Sequence, residues 1–183
     1  NVLEIDLTAK LADVEVEGKR VKAWTYNGQV PGPLIRGKVG DRVIVHLTNE
    51  LEQETTIHWH GLRVPIEMDG VPGVSQQPVK QGEKFTYDFV LRDAGLYWYH
   101  PHLHGVVNSQ VFRGLAGMIS IEGGTERVAA LRGYKQRLIG LNVTQFNADG
   151  TALIDPNDQD DSTAITTVNS RTDQVIKMRP GQT

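Results

Sequence analysis

The sequence predicts an all-β protein, a sandwich or barrel of short strands. Three observations point there: apolar residues recur at period two, Gly/Pro/Asn turn signals separate the runs, and no window has both helical period and helical length. Leu3, Ile5 and Leu7 alternate with Glu4 and Asp6. Asp13–Glu17 repeats the alternation, meets Gly18, and resumes through Val21, Ala23 and Trp24, which reads as a hairpin. Asn27-Gly28 is a turn signal, and Val30-Pro31-Gly32-Pro33 extends it into a fixed loop. Val43, Val45 and Leu47 mark a strand over residues 42–48. Further strands are expected over residues 55–59, 84–90, 96–100 and 115–121.

The pattern breaks around Glu122-Gly123-Gly124-Thr125-Glu126, which divides the chain into a domain at 1–126 and a second unit at 127–183. In the second unit, residues 137–143 read as a fresh strand, and the acidic run at residues 155–161 as a solvated loop whose spacing fits no EF-hand. About 50 residues are too few for a comfortable independent core, and the chain stops in what reads as the opening of a strand, so the second unit is expected to be the truncated start of a larger one.

Composition excludes several functions. The net charge is −3 with both signs interspersed, so no basic face suited to nucleic acid is visible. No apolar run approaches the roughly 20 residues needed to span a bilayer. The chain has no cysteine, which rules out disulfides, thiolate zinc sites, iron–sulfur clusters and thiol catalysis within it. It begins at Asn1 and shows no signal peptide.

Five of the six histidines fall in two short segments, Thr56-Ile57-His58-Trp59-His60-Gly61 and Tyr97-Trp98-Tyr99-His100-Pro101-His102-Leu103-His104-Gly105. Chance predicts roughly 0.2 His-x-His pairs in such a chain. In a strand, residues i and i+2 share a face, with Cα atoms about 6.6 Å apart. Two imidazoles so placed share a metal ion or reach two neighbouring ions, and two such segments side by side bring four together. With no thiolate the site is all-nitrogen, and imidazole suits copper, zinc, iron and nickel alike. Spacing alone leaves copper and zinc both open. His46 reads as an ordinary strand residue.

The segments resemble the copper signatures of the multicopper oxidases, a family that includes the laccases. His58-Trp59-His60-Gly61 followed by Leu62-Arg63-Val64-Pro65 is similar to the first signature, and Gly95-Leu96-Tyr97-Trp98-Tyr99-His100-Pro101-His102 to the second. Asn27–Pro33 with Gly40-Asp41-Arg42-Val43 resembles the family's opening segment, and Gly114-Leu115-Ala116-Gly117-Met118 its last first-domain strand. Val168-Asn169 and Met178–Thr183 more weakly resemble the start of a second domain.

The resemblance implies a Greek-key, cupredoxin-type β-barrel or sandwich followed by an incomplete second cupredoxin-like domain. It implies a trinuclear copper cluster of one type-2 copper and a type-3 pair, in which His58 binds the type-2 ion, His60 and His100 one type-3 ion, and His102 the other. His104 has no ligand counterpart. Asp69 stands where the family often carries an acid that delivers protons to the cluster; Glu67 is the weaker candidate, and the plain alternative for Asp69 is a turn residue before Gly70. The family's remaining cluster ligands and its type-1 copper, with its Cys and usual Met, belong to a last domain. Four histidines cannot close three copper ions, so the chain alone is expected not to turn over.

The implied activity is one-electron oxidation of a phenol, amine or metal ion coupled to reduction of O2 to water, in the periplasm or outside the cell. The partners would be O2, a small reducing substrate, and further domains of the polypeptide, or neighbouring subunits in a two-domain trimer; the second-domain resemblance favours three domains. The alternative from another class is a non-catalytic copper-binding module, which a downstream His-Cys-His segment would exclude. A zinc hydrolase lacks a paired general base in these segments, and a copper nitrite reductase would be expected to carry a first-domain Cys.

Overall fold

The structure, a computed structural model, describes residues 1–123, 137–155 and 164–179. Strand β1 (Val2–Val16) runs for 15 residues and serves two partners. Its first half pairs in parallel with β4 (Arg42–Asn49), and its second half antiparallel with β2 (Lys19–Tyr26). The two sequence alternations are therefore one strand whose inward face changes phase. Leu7 and Ala9 point into one core and Val14 and Val16 into another, with Leu11 exposed between them. The expected hairpin is there: Glu17 and Gly18 both take positive φ and join β1 to β2 with Val16 opposite Lys19.

With β6 (Lys84–Val90) on the far side of β4, the first sheet has the order β2-β1-β4-β6. The second sheet has the order β3-β8-β7-β5, built from β3 (Gly32–Lys38), β5 (His58–His60), β7 (Gly95–His100) and β8 (Gly117–Glu122). Their inner faces enclose a core around Leu47, Ile57, Trp59, Tyr87, Tyr99 and Ile119. Of the two all-β forms expected, the sandwich is the one observed, since the sheets do not join into a closed barrel. Tyr99 explains two small residues at the seam. Its ring lies where a Cβ on Gly117 would come within 2.2 Å, and its hydroxyl donates to the Pro33 carbonyl at 2.7 Å beside Gly32.

Three elements depart from expectation. The Pro31-Gly32-Pro33 stretch does not stay a loop but opens strand β3, whose partner β8 lies more than 80 residues on. A six-residue helix, α1 (Val107–Phe112), stands where no helix is expected. Most of the segment read as a strand over residues 55–59 is irregular, and only residues 58–60 form β5.

In the second unit the strand expected over residues 137–143 is β9 (Leu141–Thr144), paired antiparallel with β10 (Ile165–Val168). Phe146 and Leu153 complete the second core with Val14, Val16, Val21 and Ala23. The backbone of Lys22 bonds on both sides of this connection, donating to the Thr151 carbonyl at 2.7 Å and accepting from Leu153 at 2.9 Å. Most of the acidic loop, part of the boundary at residues 122–126 and the closing residues 180–183 lie outside the described residues. Among the described residues, no helix is long and apolar enough to cross a membrane.

Candidate metal centre

Strands β5 and β7 lie side by side with His58 opposite His100, Trp59 opposite Tyr99, and His60 opposite Trp98. Trp59 and Tyr99 are fully buried in the sandwich core. By the period-two rule His58, His60, Trp98 and His100 project from the other face of the same sheet. The two histidine segments thus meet as adjacent strands, and the imidazoles gather on the side turned away from the core.

The His58 ring is held by the loop that follows the 3-10 turn Ile66–Met68. Its Nδ1–H donates to the Asp69 carbonyl at 2.8 Å, and Oδ1 of the same aspartate is 3.3 Å away. Facing a carbonyl, Nδ1 must carry the proton, which leaves Nε2 free as a ligand. Gly70 makes this approach possible. A Cβ there would lie 1.8 Å from the Ile57 carbonyl oxygen, and its φ of +75° suits glycine. Ile57 in turn donates its N–H to the Tyr87 hydroxyl at 2.8 Å, so the strand entering β5 is tied to the core.

His100 is oriented the same way, its Nδ1–H donating to the Pro101 carbonyl at 2.7 Å. Its free Nε2 lies 3.1 Å from Nδ1 of His60. The ligand nitrogens of His58, His60 and His100 all lie within 4.8 Å of one another. His102 hangs its backbone N–H on the buried Thr56 hydroxyl at 3.2 Å, and its ring centroid is 5.0 Å from that of His58. Nδ1 of His102 is buried without a hydrogen-bond partner. The Gln110 side chain of α1 braces the strand entrance from behind. It accepts from the Thr55 hydroxyl at 2.8 Å and donates to the Gln53 side chain and the Glu54 carbonyl.

Burial and the neighbouring imidazoles His58, His60 and His102 push the His100 pKa down from 6.5 to about 4, against a smaller upward pull from the Pro101 carbonyl. His100 is therefore neutral near pH 7, the state a metal requires of imidazole. Two nitrogens bound to one ion through bonds of about 2.0–2.1 Å stand roughly 2.8–3.4 Å apart, so the His60–His100 pair fits a shared ion. The donor set, the free nitrogens and the partnerless His102 Nδ1 all suit a metal with imidazole ligands.

The sequence-predicted residues thus divide clearly. His58, His60, His100 and His102 come together, and Asp69 reaches them, though its carbonyl is closer to His58 than its carboxylate. Glu67 is exposed in the 3-10 turn. His104 is exposed with its ring 5.5 Å from His102. His46 lies on β4, bonded to Thr86 and Glu4, away from the group. Sequence reasoning missed Trp98, which stacks on His100, and Gln110; only the aromatic run Tyr97-Trp98-Tyr99 hinted at the first.

Comparison with known families decides among the metals. The family described as multicopper oxidase matches residues 8–126. The chain belongs to the multicopper oxidase family. Copper is therefore the metal, and members of this family couple oxidation of a reducing substrate to O2. A copper resistance protein A homolog of Pseudomonas syringae pv. tomato is 43% identical over 99 residues, covering 54% of this chain and 17% of that protein. Laccase-1 of Cryptococcus neoformans var. grubii is 37% identical over 152 residues, covering 81% of this chain and 23% of that protein. The structure of a multi-copper oxidase from Pseudomonas thermotolerans superposes with a TM-score of 0.76 at 39% identity, over 93% of this chain and 42% of that one. The chain spans between 17% and 23% of the length of these two curated relatives.

Proposed function

We propose that this chain supplies half of the ligands of a trinuclear copper cluster in a laccase-like oxidase. His58 holds the type-2 copper, His60 and His100 share one type-3 copper, and His102 holds the other. The observation that carries this is the 3.1 Å approach of His60 Nδ1 to His100 Nε2 from adjacent strands, with the other His100 nitrogen held by the Pro101 carbonyl. Copper, when bound, supplies the one-electron redox chemistry that reduces O2 to water at the expense of a phenol, amine or metal ion.

The chain's own residues orient and insulate that chemistry. The carbonyls of Asp69 and Pro101 fix the His58 and His100 tautomers, and burial keeps His100 neutral. The Asp69 carboxylate is partly exposed beside His58, placed to carry protons from solvent on Oδ1. The other ligands and a type-1 copper come from further domains of the polypeptide, of which residues 127–183 begin the second. The compartment is periplasmic or extracellular, a reading that rests on the family resemblance alone. Four converging imidazoles weigh against a non-catalytic structural module, which has no physical need of them.

The test is copper binding. The chain is titrated with cupric ion, bound copper is counted by atomic absorption, and nitrogen ligation is read by electron paramagnetic resonance. Loss of that binding in both His60→Ala and His100→Ala is expected, with no O2 consumption by the chain alone. Undiminished binding in both variants would overturn the assignment.

A further inference from the structure

Four of the five clustered histidines are used above, and His104 is left over. It occupies the first corner of the turn Leu103–Val106, closed by the Val106 N–H on the Leu103 carbonyl at 3.1 Å. Gly105 follows at φ +84°, which makes this the turn type that needs glycine at its second corner. The His104 side chain is exposed and forms no hydrogen bond or ion pair with any described residue. Its ring neighbour is His102, with centroids 5.5 Å apart.

From His102 the row of rings continues inward, 5.0 Å to His58 and 6.3 Å to His100. Exposure falls along it: His104 is open to solvent, His102 is half-buried, and His100 is 5% exposed. Two imidazoles that share one ion through bonds of about 2.0–2.1 Å have ring centres roughly 5–6 Å apart, so His104 and His102 are spaced to hold an ion between them for a moment. A hydrated ion gives up one water for each nitrogen it gains. An imidazole with no partner to lose is the easiest to bind first, and the partnerless Nδ1 of His102 is the next one met. His60 is also exposed, but its Nδ1 already faces His100, which makes it a destination and not a way in.

We propose that His104 is the intake ligand of the cluster: it takes copper from solvent and hands it to His102, and holds no metal once the cluster is filled. This rests on the copper site proposed above. The test mixes the 183-residue chain with cupric chloride in a stopped-flow instrument. Quenching of tryptophan fluorescence reports arrival at the cluster, because Trp98 stacks on His100 at 3.9 Å. Bound copper at equilibrium is counted by dialysis.

Both His104→Gln and His104→Ala are expected to slow quenching about tenfold, within the decades over which association rates move among variants of one site. Copper per chain at equilibrium stays unchanged, and so does the rate in His46→Gln. Circular dichroism confirms that the variants keep the fold, as an exposed turn position allows. An unchanged rate in both variants would overturn the intake role alone. Loss of bound copper at equilibrium would overturn it too, by making His104 a resident ligand. No copper uptake by the unaltered chain would overturn the site itself and the intake role with it.

Discussion

The Trp98 indole lies against the His100 imidazole, with ring centroids 3.9 Å apart and planes 26° apart. Its centroid is also 5.0 Å from that of His60. One indole therefore backs both histidines of the closest nitrogen pair. The His100 ring has few degrees of freedom left: a hydrogen bond fixes it at Nδ1 and stacking fixes its tilt, while Trp98 meets His60 at a tilt.

Trp98→Ala is expected to weaken copper binding by about 10- to 100-fold, the usual cost of losing a group that orients a ligand. Trp98 is 37% exposed, so its removal opens no sealed cavity and the melting temperature should move little. Competition against a chelator of known affinity measures the first effect, and calorimetry the second. Unchanged affinity would show that the strand backbone alone orients the two rings.

The metal-free chain is expected to lose stability as pH falls from 6.5 toward 4. His100 binds its proton near pH 6.5 when unfolded but only at about 4 when folded. Between those values the unfolded chain holds more protons, so stability rises with pH there and levels off above 6.5. Urea midpoints at a series of pH values measure the slope, and His100→Gln should flatten it. Copper, which requires neutral imidazole, should steepen it.

Two glycines at nearly the same φ separate strain from collision. Gly73 has φ +76° and open space around it, so Gly73→Ala should cost only about 1–2 kcal/mol of backbone strain. Gly70→Ala also drives a methyl onto the Ile57 carbonyl, and should cost about 3–5 kcal/mol. It should release the Asp69 carbonyl from His58 as well, so copper affinity falls with it. Chemical denaturation of the two variants side by side reads the difference.

Gln110→Ala removes three hydrogen bonds at a fully buried position and leaves the Thr55 hydroxyl only its long 3.4 Å contact with the Thr56 carbonyl. A loss of about 2–4 kcal/mol is expected, and hydrogen exchange should show residues 53–57 opening before the sheets do.

Much of the fold and most of the site are legible in the sequence. Strands with one dry face, such as β4 and β6, announce themselves by alternation. The pair His58 and His60 does so because period two puts both rings on one side, while His102 lies just past the end of β7. What stayed hidden was decided by distant partners. Strand β3 begins in a Pro-Gly-Pro stretch that reads as a loop, and only β8 makes it a strand. Helix α1 is too short to show a period, and its buried Gln110 anchors it to residues 53–55. The Asp69 carbonyl on His58 was equally invisible, because a backbone atom leaves no mark on residue identity.

Strand β2 is the outer strand of the first sheet, and residues 151–153 lie along it, bonding the Lys22 backbone on both sides. Without that strap its unpaired N–H and C=O groups would be a template for other chains, a hazard that sheet proteins guard against. Residues 146–153 therefore act as a selvedge for the copper-bearing sandwich. A chain cut at residue 126 would keep every histidine and still fray, its raw margin seeking a neighbour and its valines Val14, Val16 and Val21 laid bare.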